Sequence, residues 1–85
     1  MYCQVFKGSR KQDHYIYLPV GYDQATLPAT LQTLLGELLL VVEFELTPDR
    51  ELAIADTAEV IAQLRDRGFY LQMPPGDKVP EDLSQ

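Results

Sequence analysis

Cysteine and histidine are nearly missing from this chain, which has one of each, Cys3 and His14. A single cysteine cannot close an internal disulfide, and one of each cannot build a zinc site from these ligands alone. Long hydrophobic runs are missing as well. The longest, LLLVV at residues 38–42, is far short of the ~18 apolar residues that a membrane span needs. The opening MYCQVFKGSR lacks the basic-then-apolar order of an export signal. These absences lead us to expect a cytoplasmic protein in a reducing compartment, with no membrane as partner. Basic residues are scarce: 7 Lys and Arg stand against 13 Asp and Glu, a net charge of −6. The first twenty residues hold Lys7, Arg10 and Lys11 against Asp13, net +2, which leaves −8 for the remainder. Such a balance is poorly suited to non-specific nucleic-acid binding, which draws its affinity from neutralising phosphates, although a basic hairpin tip remains. KGSRKQ has one glycine and no helix after it, so the chain has no phosphate-cradling loop.

The chain's 85 residues, 46% of them hydrophobic, suit one globular domain. YCQVFK and HYIYL are β-rich runs flanking the polar GSRKQD, and together they predict an N-terminal hairpin. With a loop at residues 8–13, Lys7 faces His14, Phe6 faces Tyr15, Val5 faces Ile16 and Cys3 faces Leu18. Period-two alternation then groups Tyr2, Gln4, Phe6, Tyr15 and Tyr17 on one face, and Cys3, Val5, Ile16 and Leu18 on the other. Both faces are largely apolar, so each needs a cover. TLPATLQTLLG predicts a helix capped by Thr26, with Pro28 in its first turn, a stripe of Leu27, Leu31, Leu34 and Leu35, and a stop at Gly36. ELLLVVEFEL predicts a strand whose apolar half is buried on both faces, and whose Glu43 and Glu45 side meets water.

DTAEVIAQLRDRG predicts the second helix. Asp56 and Glu59 have the spacing of a capping box, and Ala58, Val60, Ile61 and Leu64 form the stripe. Arg65 and Arg67 suit the negative end of the dipole, and Gly68 is placed for the left-handed position after the last turn. FYLQM predicts the final strand, with Phe69, Leu71 and Met73 facing one way and Tyr70 and Gln72 the other. Pro74 and Pro75 end its pairing. The order β-β-α-β-α-β predicts an α/β fold: a four-stranded sheet with two helices, arranged as an α/β/α sandwich. Strand pairs on either side of a helix are expected to run parallel through crossovers, and a two-layer arrangement is the alternative. We expect one domain over residues 1–75 and a flexible polar tail over 76–85.

The residues that could carry chemistry are few. In the register above, Cys3 and His14 lie roughly 13 Å apart along the strands, far beyond the ~3 Å that a nucleophile and its base require. Cys3 is then a small buried hydrophobe and His14 a solvated residue at the hairpin end. Glu43 and Glu45 share a strand face about 6.6 Å apart, the pattern of a solvated strand edge rather than of a metal site lacking further ligands. We expect no catalytic residue, no metal ligand and no cofactor. Lys7, Arg10 and Lys11 beside Tyr15 and Tyr17 form the candidate binding surface, since such a cluster can hold phosphates and stack bases. Burial of the tyrosines under a helix is the competing expectation. Gln72, in an otherwise apolar strand, is expected at an edge or beside a buried partner, and Pro74 and Pro75 suit an extended segment for an aromatic groove.

MYCQVFKGSRKQDHYIYL, LPATL, DRELAIADTAEVIAQL and GFYLQMPP together resemble the YcgL-domain family of small bacterial proteins, in order and nearly without gaps from Met1 to Pro75. The most specific matches are Cys3, Arg10 with Lys11, Tyr15 and Tyr17, Leu27 with Pro28, Arg50, Asp56, and Gly68, Tyr70, Leu71, Gln72, Pro74 and Pro75. His14 lies outside the pattern. The resemblance implies a compact α/β/α-type domain and brings no activity with it. It adds Arg50 and Tyr70 to Gln72, Pro74 and Pro75 as candidate binding positions. The expectation is a non-catalytic binding or adaptor domain with a protein partner. The alternative is an RNA-associated accessory protein using the basic, aromatic hairpin.

Overall fold

The computed structural model describes residues 1–50, 52 and 56–73. β1 (Tyr2–Gly8) and β2 (Tyr15–Pro19) form the expected hairpin. A 3₁₀ turn, Gln24–Thr26, leads into α1 (Ala29–Leu35); β3 (Leu38–Glu45), α2 (Thr57–Asp66) and β4 (Tyr70–Gln72) follow. The sheet order is β3-β1-β2-β4, and every pairing is antiparallel. This corrects the expectation of parallel pairs. β2 and β3 run in the same direction, but β1 lies between them. The first hairpin supplies the two central strands, and each helix carries the chain across to an outer edge.

The hairpin register also differs from the one expected. Lys7 pairs with Tyr15, Phe6 with Ile16, Val5 with Tyr17, Gln4 with Leu18 and Cys3 with Pro19. The shift is one residue, and with a side-chain period of two it moves the whole of β2 to the opposite face. Ile16 and Leu18 join Phe6, while Tyr15 and Tyr17 join Cys3 and Val5. The loop causes the shift. His14 N–H donates to Lys11 O at 2.9 Å, which draws His14 into the turn and buries it to 3% exposure. His14 is therefore not the solvated residue expected.

Two cores result, one on each face, and the domain is an α/β/α sandwich. On one face Leu27, Leu31 and Leu35 from α1 and the turn before it pack with Phe6, Ile16, Leu18 and Phe69. On the other, Val60 and Leu64 of α2 pack with Cys3, Val5, Tyr17 and Leu46. Phe69 and Leu71 point into the first core and Tyr70 into the second, as alternation along β4 requires.

The caps explain where the helices begin and end. Asp56 Oδ1 accepts from Ala58 N–H at 3.0 Å, and Gly68, at φ +86°, follows the last turn and donates to Leu64 O at 3.1 Å. Glu59 does not complete the capping box; its carboxylate accepts from Gln63 Nε2 at 2.9 Å. α1 starts later than expected. Asp23, not Thr26, caps the 3₁₀ turn through Ala25 N–H at 3.0 Å, and Pro28 stands just ahead of the helix. Proline there biases Leu27 toward the extended backbone it adopts, ψ 148°, and so delays the helix.

Candidate functional site

The antiparallel register aligns several of the expected binding residues in rows across the α2 face of the sheet. Leu39, Lys7, Tyr15 and Gln72 form one row, and Val42, Val5, Tyr17 and Tyr70 the next. Tyr17 and Tyr70 meet edge to face with ring centres 5.6 Å apart, an arrangement that suits the ring quadrupoles. The Tyr17 hydroxyl donates to Gln72 Oε1 at 2.9 Å, a diagonal contact between the rows. This accounts for glutamine in an apolar strand: β4 is an edge, and the inward amide of Gln72 has a partner. Burial raises the pKa of both phenols above the ordinary tyrosine value; Cys3 adds to the effect at Tyr17, and Glu59 and Asp56 add to it at Tyr70. Tyr17 is buried, while Tyr15 and Tyr70 are half-buried.

Apart from Lys7, the basic candidates lie away from this patch. Arg10 turns to the other side of the sheet, where its backbone N–H donates to Leu35 O at 3.0 Å and Nη1 donates to Thr33 O at 3.2 Å. Lys11 is exposed in the loop. Arg50 lies at the far end of the sheet, its guanidinium carbon 4.3 Å from the centre of the Phe44 ring, a cation–π contact. Pro74 and Pro75, like the boundary at residue 75 and the tail at 76–85, lie outside the described residues. The structure thus brings together Lys7, Tyr15, Tyr17, Tyr70 and Gln72, and leaves Arg10, Lys11 and Arg50 at two other corners.

The nucleophile candidate is chemically quiet. Cys3 has no solvent exposure, and burial pushes its thiol from 9.0 up to about 11, against the lowering effect of the Leu18 backbone. A protonated thiol is a poor nucleophile. His14 Nδ1 lies 3.0 Å from Asp13 Oδ1, and this bond holds the Asp13 carboxyl below its ordinary value. Glu43, exposed on the α1 face, accepts from Gln4 Nε2 at 2.9 Å. Among the described residues no three His, Cys, Asp or Glu converge as metal ligands would. A groove of about 470 Å³ runs between α1 and the start of β3 over Leu31, Leu35 and Leu38. The Gln32 amide beside it is engaged with Leu27 O at 2.7 Å.

The largest departure from expectation is β3. Its apolar run was expected to be buried on both faces, yet Leu39, Leu40, Val41 and Val42 are 39, 56, 50 and 45% exposed. β3 is an outer strand, and the helices pack over β1, β2 and β4. A bulge adds to this: Phe6 pairs with Leu40 and Val5 with Val42, which leaves Val41 as the extra residue. Sequence reading misses this surface because LLLVV carries no mark that separates a central strand from an outer one. The available signal is the acidic flank, Glu37, Glu43 and Glu45, since charge near an apolar strand is typical of edges.

A model of the YcgL domain matches residues 3–75. The chain belongs to the YcgL-domain family. A YcgL domain-containing protein of Thioalkalivibrio sulfidiphilus is 48% identical over 80 residues, covering 94% of this chain and 99% of that protein. One from Xanthomonas euvesicatoria is 46% identical over 74 residues, 87% of this chain and 86% of its own. One from Stenotrophomonas maltophilia is 44% identical over 75 residues, with 88 and 87% covered. Their names carry the domain and no activity. The YcgL domain therefore spans both cores, the tyrosine rows and the bare outer strand. No helix among the described residues is long and apolar enough to cross a membrane.

Proposed function

We propose that this YcgL domain is a non-catalytic binding module of the cytoplasm, an adaptor whose β3 edge accepts a protein segment. The observation that carries this reading is the exposure of four consecutive large aliphatic residues, Leu39 to Val42, on an outer strand. An edge strand offers a row of backbone donors and acceptors, and apolar side chains on both of its faces add affinity once a second strand lies alongside. The buried, protonated Cys3 supports a structural role for the only thiol.

The test compares the wild type with a Leu40→Lys/Val41→Lys variant as bait in lysate, with and without ribonuclease. The expected outcome is a protein retained by the wild type and insensitive to ribonuclease. Rebuilt from purified components, its binding should be weakened about tenfold or more by the variant. Equal binding by both baits, or a turnover lost on changing Cys3, His14 or Glu43, overturns the reading.

A second reading rests on the row that places Lys7 beside Tyr15, with Arg10 and Lys11 in the adjoining loop. It predicts salt-sensitive RNA binding, removed by Lys7→Glu/Arg10→Glu/Lys11→Glu. Absence of a gel shift at micromolar protein and low salt eliminates it.

A further inference from the structure

We propose that the occupant of the β3 edge is β3 of a second copy of this chain, paired antiparallel about a two-fold axis so that two sheets of four strands become one. The inference rests on reading β3 as a binding edge and names its partner. Charge favours this pairing. At the start of β3, the basic loop is tied in by Ser9 N–H to Glu37 O at 2.9 Å and by Arg10 N–H to Leu35 O, and Arg10 lies on the α1 face that Glu43 and Glu45 share. At the end of β3 stand Glu43 and Glu45, both exposed. Antiparallel self-pairing brings each acidic end to the other copy's basic corner. Parallel pairing would set carboxylate beside carboxylate, a repulsive arrangement. Arg50, stacked over Phe44 at the acidic end, comes by the same symmetry toward Glu37 of the second copy.

The register of β3 favours it as well. Side chains that meet across a continuous sheet must share a face. Leu39 and Val42 both lie on the face of Lys7 and Val5, while Leu38 and Glu43 lie on the face of Gly8 and Gln4. The extra residue at Val41 makes this possible, because it reverses the alternation midway along the strand. A two-fold axis between Leu40 and Val41 then sets Leu39 against Val42 of the second copy, and Leu40 against its Val41. Leu39 and Val42 then meet on a shared face, with Leu40 and Val41 at the axis between them. Two strands of this length bury less than the ~1,200 Å² of a standard stable interface, so the dimer is expected to form at about micromolar protein or above.

The test is sedimentation equilibrium of the wild type from about 1 to 500 µM, at low and high salt. The expected result is a monomer–dimer equilibrium. Glu43→Lys/Glu45→Lys should weaken it about tenfold, and Leu40→Lys/Val42→Lys should abolish it. A Leu39→Cys/Val42→Cys variant should oxidise to a covalent dimer. Within one strand these positions are roughly 10 Å apart, too far to bridge, and buried Cys3 does not compete. If the lysine variant fails to fold, hydrogen exchange of wild-type β3 amides decides: protection must rise with protein concentration. A wild type that is monomeric throughout, with no covalent dimer and no concentration-dependent protection, overturns this inference. The adaptor reading fails on separate results: β3 variants that leave capture of other proteins unchanged, or the turnover named above.

Discussion

Gly68 shows what one residue can be asked to do. Its φ of +86° is a conformation that side chains resist, and a Cβ there would lie 2.9 Å from Tyr22 Cε2. Gly21 has a similar φ of +89°, but nothing lies within 4 Å of its Cβ position. The pair separates backbone cost from steric cost. Gly21→Ala should lose about 1–2 kcal/mol, the price of the left-handed backbone alone. Gly68→Val should lose more than Gly21→Ala, because Tyr22 must also move. Urea midpoints of the two variants check this, and a neutral Gly68→Val would mean that α2 does not end where we describe. Gly68 was legible in the sequence because a cap is local: a helix stripe, two arginines and a glycine lie within a dozen residues. His14 was not legible, since nothing near it announces that the turn folds inward.

At the scale of elements, burial decides what a leucine is worth. Leu31 on α1 has no exposure, whereas Leu40 on β3 is 56% exposed. Leu31→Ala should therefore cost about 2–5 kcal/mol through lost contacts and a cavity. Leu40→Ala should fall within about 1 kcal/mol, in the range of surface substitutions. Denaturation of both variants at low protein concentration, below the range of self-association, measures the difference. Equal losses would place β3 inside the core and remove the argument for a binding edge. The two leucines look alike in the sequence, but one belongs to a helix whose period fixes its buried side. The other belongs to a strand whose burial depends on its place in the sheet. The hairpin carries the same lesson: both of its faces are apolar, so polarity pins no register, and the turn at residues 11–14 sets it.

For the molecule as a whole, pH stability follows from groups whose protons the fold retains. Cys3, Tyr17 and Tyr70 all have raised pKa values, so each stays neutral in the folded protein at a pH where the unfolded chain has begun to ionise. Their stabilisation is complete below the unfolded values and is lost as pH rises through the folded ones. For Cys3 the window runs from 9.0 to about 11, worth roughly 2–3 kcal/mol in total. Cys3→Ala should flatten the decline of stability between pH 9 and 11 by as much as about 1.4 kcal/mol per pH unit. Chemical denaturation across that range tests it, and parallel slopes for the two proteins would show that the thiol is not the source. On the acid side, Asp13 and Asp49 have lowered values, Asp13 through His14 and Asp49 through Thr47. Their contribution is also stabilising, but its pH dependence is reversed: it is present above the ordinary carboxylate range and fades as pH falls below it.

Helices, caps, the alternating faces of β4 and the number of strands follow from residues close together in the chain, where periodicity and cap chemistry act over a turn or two. Family membership is legible for the same reason, in contiguous stretches such as GFYLQMPP. Strand order, the hairpin register and the exposure of β3 depend on pairings between distant residues, Phe6 with Leu40 and Tyr17 with Tyr70 among them. Apolar runs of similar composition satisfy a central or an outer position equally well. Only the competition of four strands for two helical covers assigns the places. β1 and β2 take the centre, and LLLVV is left at the rim.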